Sequence, residues 1–361
     1  MTDYANPART GRAPAVAPGG RTDGSGGVSW APVPTQARAG GGYAGGELLA
    51  EVVRSGFVEG YHRGSVIVLS AGGDVLDAAG DVTGPVFPRS SNKPMQAVGM
   101  LRAGLALAEP ANLALVAASH HGEPMHVELA RAMLHSGGLT EDDLACPADF
   151  PLSEPARREV LAAGGDRARI YMNCSGKHTG MLLTCLAAGW PTEGYHRPDH
   201  PLQRHLRSVL EEVAGEPAAA VGVDGCGVPV LAISLNALAS AFLRLVQAEP
   251  GTAERTVADA MRGHPELVSG TGADDARLMR GLPGILAKGG AEGVLAVAVP
   301  GVGAVAMKVD DGGRRPRFPV LSSALRRLGV DAPVLAGLAA DADGVVQLGR
   351  GEPVGTVRAI W

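Results

Sequence analysis

The residues best suited to chemistry stand in one short stretch, Phe87-Pro88-Arg89-Ser90-Ser91-Asn92-Lys93-Pro94, where a serine and a lysine are three positions apart. On a helix that spacing puts Ser90 and Lys93 on one face, within reach of each other. Pro94 is tolerated only in a helix's first turn, whose N–H groups have no intrahelical partner, so a helix is expected to begin near Ser90. The partial positive charge at such a terminus favours a developing alkoxide on Ser90 and disfavours the charged form of Lys93. Together these suit a nucleophile with a neutral amine base. The same S-x-x-K spacing occurs in serine acyl-transfer enzymes. Taken alone, the residues fit equally a plain capping serine near a solvated lysine, so the rest of the chain has to decide.

The elements that must position this pair come from a chain of 361 residues with 45% hydrophobic content, enough for one large domain or two ordinary ones. With only 4% aromatic residues, the core has to be built mainly from Ala, Val and Leu. Net charge is −5 and basic residues cluster no further than pairs such as Arg314-Arg315, which argues against a nucleic-acid partner. No apolar run is long enough to span a bilayer, and the N-terminus lacks a charged start followed by an apolar segment. A cytoplasmic protein with no membrane partner is therefore expected. The four cysteines, Cys146, Cys174, Cys185 and Cys226, are too sparse for a disulfide scaffold and read as thiols or metal ligands.

Residues 1–45, rich in Gly, Pro, Ala, Arg and Ser without hydrophobic period, read as a disordered tail before a catalytic domain over 46–361. Strands are expected at Leu48–Val53 and Ser65–Leu69, with a hairpin turn at Ala71–Asp74 into Val75–Ala78. Met95, Val98, Leu101 and Leu105 mark the apolar stripe of the helix after Ser90. The apolar run Leu113–Ala118 ends at Ser119-His120-His121-Gly122-Glu123, a second serine at a glycine-containing turn. Helices are predicted over Val127–Leu134, from Thr140, over Met181–Ala188, Leu202–Val213, Val230–Val246 and Phe318–Leu328. Late strands are predicted at Ile285–Lys288, Gly293–Val299 and Gly303–Val309. Strands at both ends with helices between predict an α+β fold whose sheet is assembled from the two chain ends.

Six motifs in order then carry a resemblance. They are Phe87-Pro88-Arg89-Ser90 with Lys93-Pro94, Ala118-Ser119-His120 with Gly122-Glu123, Asn173-Cys174-Ser175-Gly176-Lys177-His178, Asp224-Gly225-Cys226, Leu267-Val268-Ser269-Gly270-Thr271-Gly272, and Lys288-Gly289-Gly290-Ala291-Glu292-Gly293. From about Leu48 to about Leu328 the chain resembles the L-asparaginase II family of the Rhizobium etli type. The resemblance implies a serine β-lactamase- or penicillin-binding-protein-like fold and hydrolysis of L-asparagine to L-aspartate and ammonia. It also implies two Ser-Lys pairs, Ser90 with Lys93 and Ser119 with Lys288.

In these terms Ser90 is the expected nucleophile, Lys93 its base, and Ser119 with Lys288 the proton relay. Arg89 offers a planar fork for a substrate carboxylate, or else an ion pair elsewhere, and Asn173 and Gly289 are further substrate contacts. The resemblance also implies a zinc ion near the site, with Cys146 and Cys174 matched to its ligands and Asp149 as the third donor where many relatives have His. Two buried free cysteines are the alternative. No organic cofactor is expected, the partner is the small-molecule substrate, and a homodimer is the expected assembly. Pro147, Met172 and Ala273 also differ from the usual pattern. These departures leave a glutaminase or another Ser-Lys amidase, and a non-catalytic asparagine-binding protein, as alternatives. A β-lactam hydrolase is the weaker choice, because Lys288 is followed by Gly289-Gly290 and not by the rest of a K-T-G triad.

Overall fold

Fourteen residues of near-continuous strand, Phe57–Ser70, form the axis on which the protein is built. The computed structural model describes residues 42–342 and 344–361, and the predicted tail lies outside the described residues as far as residue 41. From Tyr43 onward the chain is tied down: the Tyr43 hydroxyl donates to Asp310 Oδ1 at 2.5 Å and lies 3.0 Å from Ser65 Oγ.

Three strands open the fold: β1 (Glu47–Arg54), β2 (Phe57–Ser70) and β3 (Val75–Ala79). The short β4 (Pro85–Val86) leads to a 3-10 turn at Arg89–Asn92, and α1 (Lys93–Arg102) follows with Pro94 in its first turn. The helical region then runs through α2 (Pro110–Val116), α3 (Pro124–Ser136), α4 (Glu154–Ala162), α5 (Ser175–Ala188) and α6 (Pro201–Ala214). A small sheet of β4, β5 (Ala220–Val223) and β6 (Pro229–Ser234) precedes α7 (Leu235–Gln247), α8 (Ala253–Gly263), α9 (Pro265–Val268) and α10 (Asp274–Gly281). Last come β7 (Leu286–Gly289), β8 (Val294–Val299), β9 (Gly303–Val309), α11 (Arg317–Arg327), α12 (Pro333–Asp341), β10 (Val346–Gly349) and β11 (Glu352–Ala359).

The large sheet has the order β10-β11-β1-β2-β9-β8-β7, with β3 on β2, and every pairing is antiparallel. It joins the two chain ends, as expected: Ala50 of the first strand faces Ala359 of the last. Every residue of β8 is buried, which requires cover on both faces of the sheet and explains why these strands read as unbroken Val/Ala/Leu runs without alternation. Helix α7 packs on β2, β8 and β9, and α11 on β1, β9 and β11.

Three predicted elements come out differently. The helix expected over Val230–Val246 is a strand followed by a helix. Pro229 to Ala232 pair with β5, Ile233 pairs with Val86 of β4, and the Ser234 hydroxyl then accepts the Ala237 N–H and starts α7. The helix expected from Thr140 is only a 3-10 turn at Glu141–Asp143, closed at both ends by the reciprocal Thr140 and Asp143 bonds. Regular α-helix after Ser90 begins at Lys93 and not at the serine.

The site depends on how α2 and α5 cross. A Cβ on Gly176 would lie 2.5 Å from the Leu115 carbonyl oxygen, and one on Gly180 would lie 2.7 Å from the Val116 methyls. Only glycines at these two positions, four apart on one face of α5, let its first turn close on α2. The consequence is that the Ser119-His120 turn, just beyond α2, meets Asn173, just before α5.

Candidate active site

Each segment that carries a candidate residue is bonded to the next. Ser119 N–H donates to the Val268 carbonyl (2.9 Å) and His120 N–H to the Asn173 carbonyl (3.1 Å). Glu123 accepts from both the Thr271 N–H (2.9 Å) and the Thr271 hydroxyl (2.7 Å), which ties the Ser269-Gly270-Thr271-Gly272 loop to the Ser119 turn. Ser91 Oγ donates to the Lys288 carbonyl at 2.8 Å, and a Cβ on Gly290 would meet Pro88 O at 2.6 Å. The turn that carries Ser90 is thereby clamped to the end of β7. Between these segments lies a cavity of about 290 Å³ whose lining includes Ser90, Ser119, Asn173, Asp275, Lys288 and Gly289.

The residue before Ser90 is conformationally unusual. Arg89 has φ +52°, in the left-handed region where a non-glycine residue costs of order 1 kcal/mol. Its guanidinium Nε donates to Asp224 Oδ1 at 2.8 Å and its Nη1 lies 3.8 Å from Glu292 Oε1. Arg89 thus makes the ion pair that was the alternative to substrate binding, and its side chain is absent from the cavity lining. The pair with Asp224 holds the strained turn on which Ser90 is presented.

The serines and lysines assemble in a different pairing from the expected one. Lys93, 1% exposed, donates its Nζ to Ser119 Oγ at 2.9 Å and to the Ala118 carbonyl at 2.5 Å, and makes no hydrogen bond to Ser90. The reason is reach: with α1 beginning at Lys93, the long side chain crosses to the end of α2. Lys288, 2% exposed, donates to the Gly289 carbonyl at 2.8 Å and not to Ser119. Burial pushes the Lys288 amine down to about 7. The charge of Lys93 adds to the fall, and the carboxylate of Asp275 opposes it. A lysine that is half neutral near pH 7 can take up or release a proton there.

Asp275 completes this corner. Its Oδ2 accepts the Gly289 N–H at 2.7 Å. Burial raises its pKa, but the charges of Lys288 and Arg317 together outweigh that and hold it below the usual carboxylate value. Arg314, Arg317, His121 and Ser269 line the same cavity. None of these five was singled out as a site residue from the sequence. The signal available was the polar density of the loops around Ser269 and Arg314, without anything to say which side chains face inward.

The expected zinc set does not assemble. Asp149 is exposed, its Oδ1 accepts the N–H of Phe150, and its backbone bridges to Ala168. Cys146 Sγ points to the Arg169 carbonyl at 3.5 Å, and Cys174 Sγ to Asn173 Oδ1 at 3.1 Å. Among the described residues no three His, Cys, Asp or Glu side chains converge as metal ligands. A short loop held by Pro147 and Pro151 turns the acid outward, so the three-residue spacing from Cys146 does not translate into shared direction.

Cys174 instead neighbours Cys226 and Lys177 behind the cavity. The Lys177 Nζ donates to Cys226 Sγ at 2.9 Å, with both side chains 1% exposed. The Cys174 thiol, and after it the Lys177 and His178 side chains, drive the Cys226 pKa far below that of an ordinary thiol despite burial. Burial opposes the charge on Lys177, but the two cysteines outweigh it and keep the lysine protonated. The result is a buried thiolate–ammonium pair. Cys226, read from the sequence with the other cysteines as a thiol or a metal ligand, is one half of it; none of the four cysteines is in a disulfide.

No curated protein matches the chain in sequence. Among solved structures, a β-lactamase from Mycobacterium bovis is 16% identical with TM-score 0.39, covering 77% of this chain and 94% of its own. The simvastatin synthase of Aspergillus terreus is 13% identical with TM-score 0.38, covering 73% and 90%. The L-asparaginase II family model matches residues 50–359, from β1 to the end of β11, and the chain belongs to that family.

Proposed function

We propose that the protein is an L-asparagine amidohydrolase that releases L-aspartate and ammonia through an acyl-enzyme on Ser90. The observation that carries this reading is one small cavity lined by two serine hydroxyls and a buried amine pushed down to about 7, in a chain of this family. Ser90 Oγ attacks the carbon of the substrate's side-chain amide while its proton passes to neutral Lys288. The Ser90 N–H lies in the first turn of its helix, where no intrahelical acceptor exists, and is a donor for the oxyanion of the tetrahedral intermediate. Ser119, held by Lys93, hands a proton to the departing nitrogen, the C–N bond breaks, and ammonia leaves. Water then attacks the ester with the same groups acting in reverse, and aspartate is freed with Ser90 restored. Asn173 and Gly289 line the wall against which the substrate amide lies.

The cavity size favours a small amino acid over a fused-ring lactam. About 290 Å³ falls at the lower edge of ligand cavities, which run from roughly 300 to 1,000 Å³ for drug-sized molecules. The test is ammonia release from L-asparagine by the protein and by Ser90→Ala, with glutamine and nitrocefin alongside. Equal release by the two proteins would refute the nucleophile, and nitrocefin turnover above that of asparagine would refute the substrate.

A further inference from the structure

Among the described residues that line the cavity, one large apolar side chain stands amid polar and charged ones: Leu152, 54% exposed. An isolated exposed leucine ordinarily needs no explanation, but this one is held in place by its neighbours. Pro151 packs against the Ser119 turn, where a Cβ on Gly122 would lie 3.0 Å from the Pro151 Cα, and the Ser153 N–H donates to the His121 carbonyl at 2.8 Å. One residue earlier, the Phe150 ring meets the guanidinium groups of Arg157 and Arg167, 5.3 Å and 5.6 Å from its centroid. Leu152 is thereby fixed beside the turn that carries Ser119 and His121, both of which line the same cavity. Burial holds the His121 imidazole below its ordinary pKa, so the ring is neutral at pH 7 and tolerates an apolar neighbour.

L-Asparagine makes no use of this leucine, because its side-chain amide ends in a bare NH2 group. In the acyl-enzyme reaction proposed for Ser90, the departing nitrogen takes its proton from Ser119. Whatever that nitrogen carries then lies on the Ser119 side of the cavity, where Leu152 stands. Resting on the amidohydrolase reading, we propose that Leu152 is a specificity residue for the leaving group, and that the cavity also accepts L-asparagine alkylated on its amide nitrogen, the β-aspartyl amides of small apolar primary amines. The Ser90 oxygen bonds to the amide carbon, the C–N bond breaks, and the nitrogen leaves as the free amine with a proton from Ser119; the proton that Lys288 takes from Ser90 makes good the one Ser119 gives up. Water then releases aspartate from the ester and restores Ser90. A carbon chain on the nitrogen covers the exposed surface of Leu152 and removes it from water.

The experiment measures release of aspartate, the product common to all the substrates, from L-asparagine and from its N-methyl, N-ethyl and N-butyl amide derivatives. In the wild type kcat/KM is expected to rise by about tenfold from methyl to butyl, the lower end of what apolar contact with added methylenes gives, since Leu152 stays half open to water. Leu152→Ala should bring the butyl-to-methyl ratio to within about twofold of unity, because the apolar surface is gone. Leu152→Met keeps an apolar side chain of similar volume and should retain the ratio. A merely structural role would lower all substrates together and leave the ratio unchanged in Leu152→Ala, which overturns the proposal, as does a flat series in the wild type. Release from asparagine with none from the alkylated amides overturns it as well and leaves the amidohydrolase reading intact. Release from the alkylated amides alone refutes asparagine as the substrate and sustains the proposal, and release from neither overturns both.

Discussion

Replacing Lys288 with methionine should make the protein more stable while destroying its activity. A lysine whose pKa is about 7 in the fold and 10.5 in the unfolded chain is penalised in the folded state by roughly 5 kcal/mol at and below pH 7, at about 1.4 kcal/mol per unit. Methionine of similar length removes that penalty. It also leaves the Gly289 carbonyl without the Nζ donor now 2.8 Å away, a loss of about 1–3 kcal/mol. The net expectation is a gain of roughly 2–4 kcal/mol at pH 7.

The sign follows from proton counting. Between pH 7 and 10.5 the unfolded chain binds the proton and the native amine does not, so the Lys288 contribution to stability rises with pH across that window. Below pH 7 both states are protonated and the contribution is flat. Urea unfolding of both proteins at pH 6.5, 8 and 9.5 reads this directly: the advantage of Lys288→Met should shrink as pH rises. A variant less stable than wild type at pH 7, or an advantage independent of pH, would refute the assignment of a depressed amine at this position.

Three other outcomes follow from the geometry. Lys177→Met removes the ammonium from the buried Cys226 thiolate, and breaking such a pair should cost about 3 kcal/mol in urea unfolding; the ultraviolet absorbance of the thiolate should vanish with it. Gly176→Ala puts a methyl 2.5 Å from the Leu115 carbonyl oxygen, and the forced separation of α5 from α2 should cost roughly 2 kcal/mol and reduce turnover, read by unfolding and ammonia assays. Glu123→Gln weakens the clamp on Thr271 and should speed amide hydrogen exchange over residues 269–272 with little change in global stability, because these bonds are exposed.

How much of this could be read beforehand depends on sequence distance. The α+β class and the sheet shared by both ends were legible, since β2, β8 and β9 are apolar runs bounded by glycine turns. The last two strands were not: Glu352-Pro353-Val354-Gly355-Thr356-Val357-Arg358-Ala359 has one buried residue and two helix- and strand-breaking residues, and only pairing with β1 on one side and β10 on the other makes it a strand. Ser90, Ser119, Asn173, Lys288 and Gly289 were found by motif, and they do share a cavity. Their partners were not, because spacing along a helix says which face a side chain leaves from and not where a long one ends. Lys93 finds Ser119 across 26 residues and Lys177 finds Cys226 across 49. Asp149 failed for the same reason in reverse, a short spacing in an irregular loop carrying no directional information.

The central claim is that Ser90 forms a covalent acyl intermediate with L-asparagine. Intact-protein mass spectrometry after rapid mixing with L-asparagine and acid quenching tests it, with peptide mapping to locate the adduct. A mass increase of one aspartyl group on Ser90 is expected, absent in Ser90→Ala and discharged by hydroxylamine as the aspartyl hydroxamate. Full ammonia release with the adduct on another residue, or undiminished release by Ser90→Ala, would contradict it.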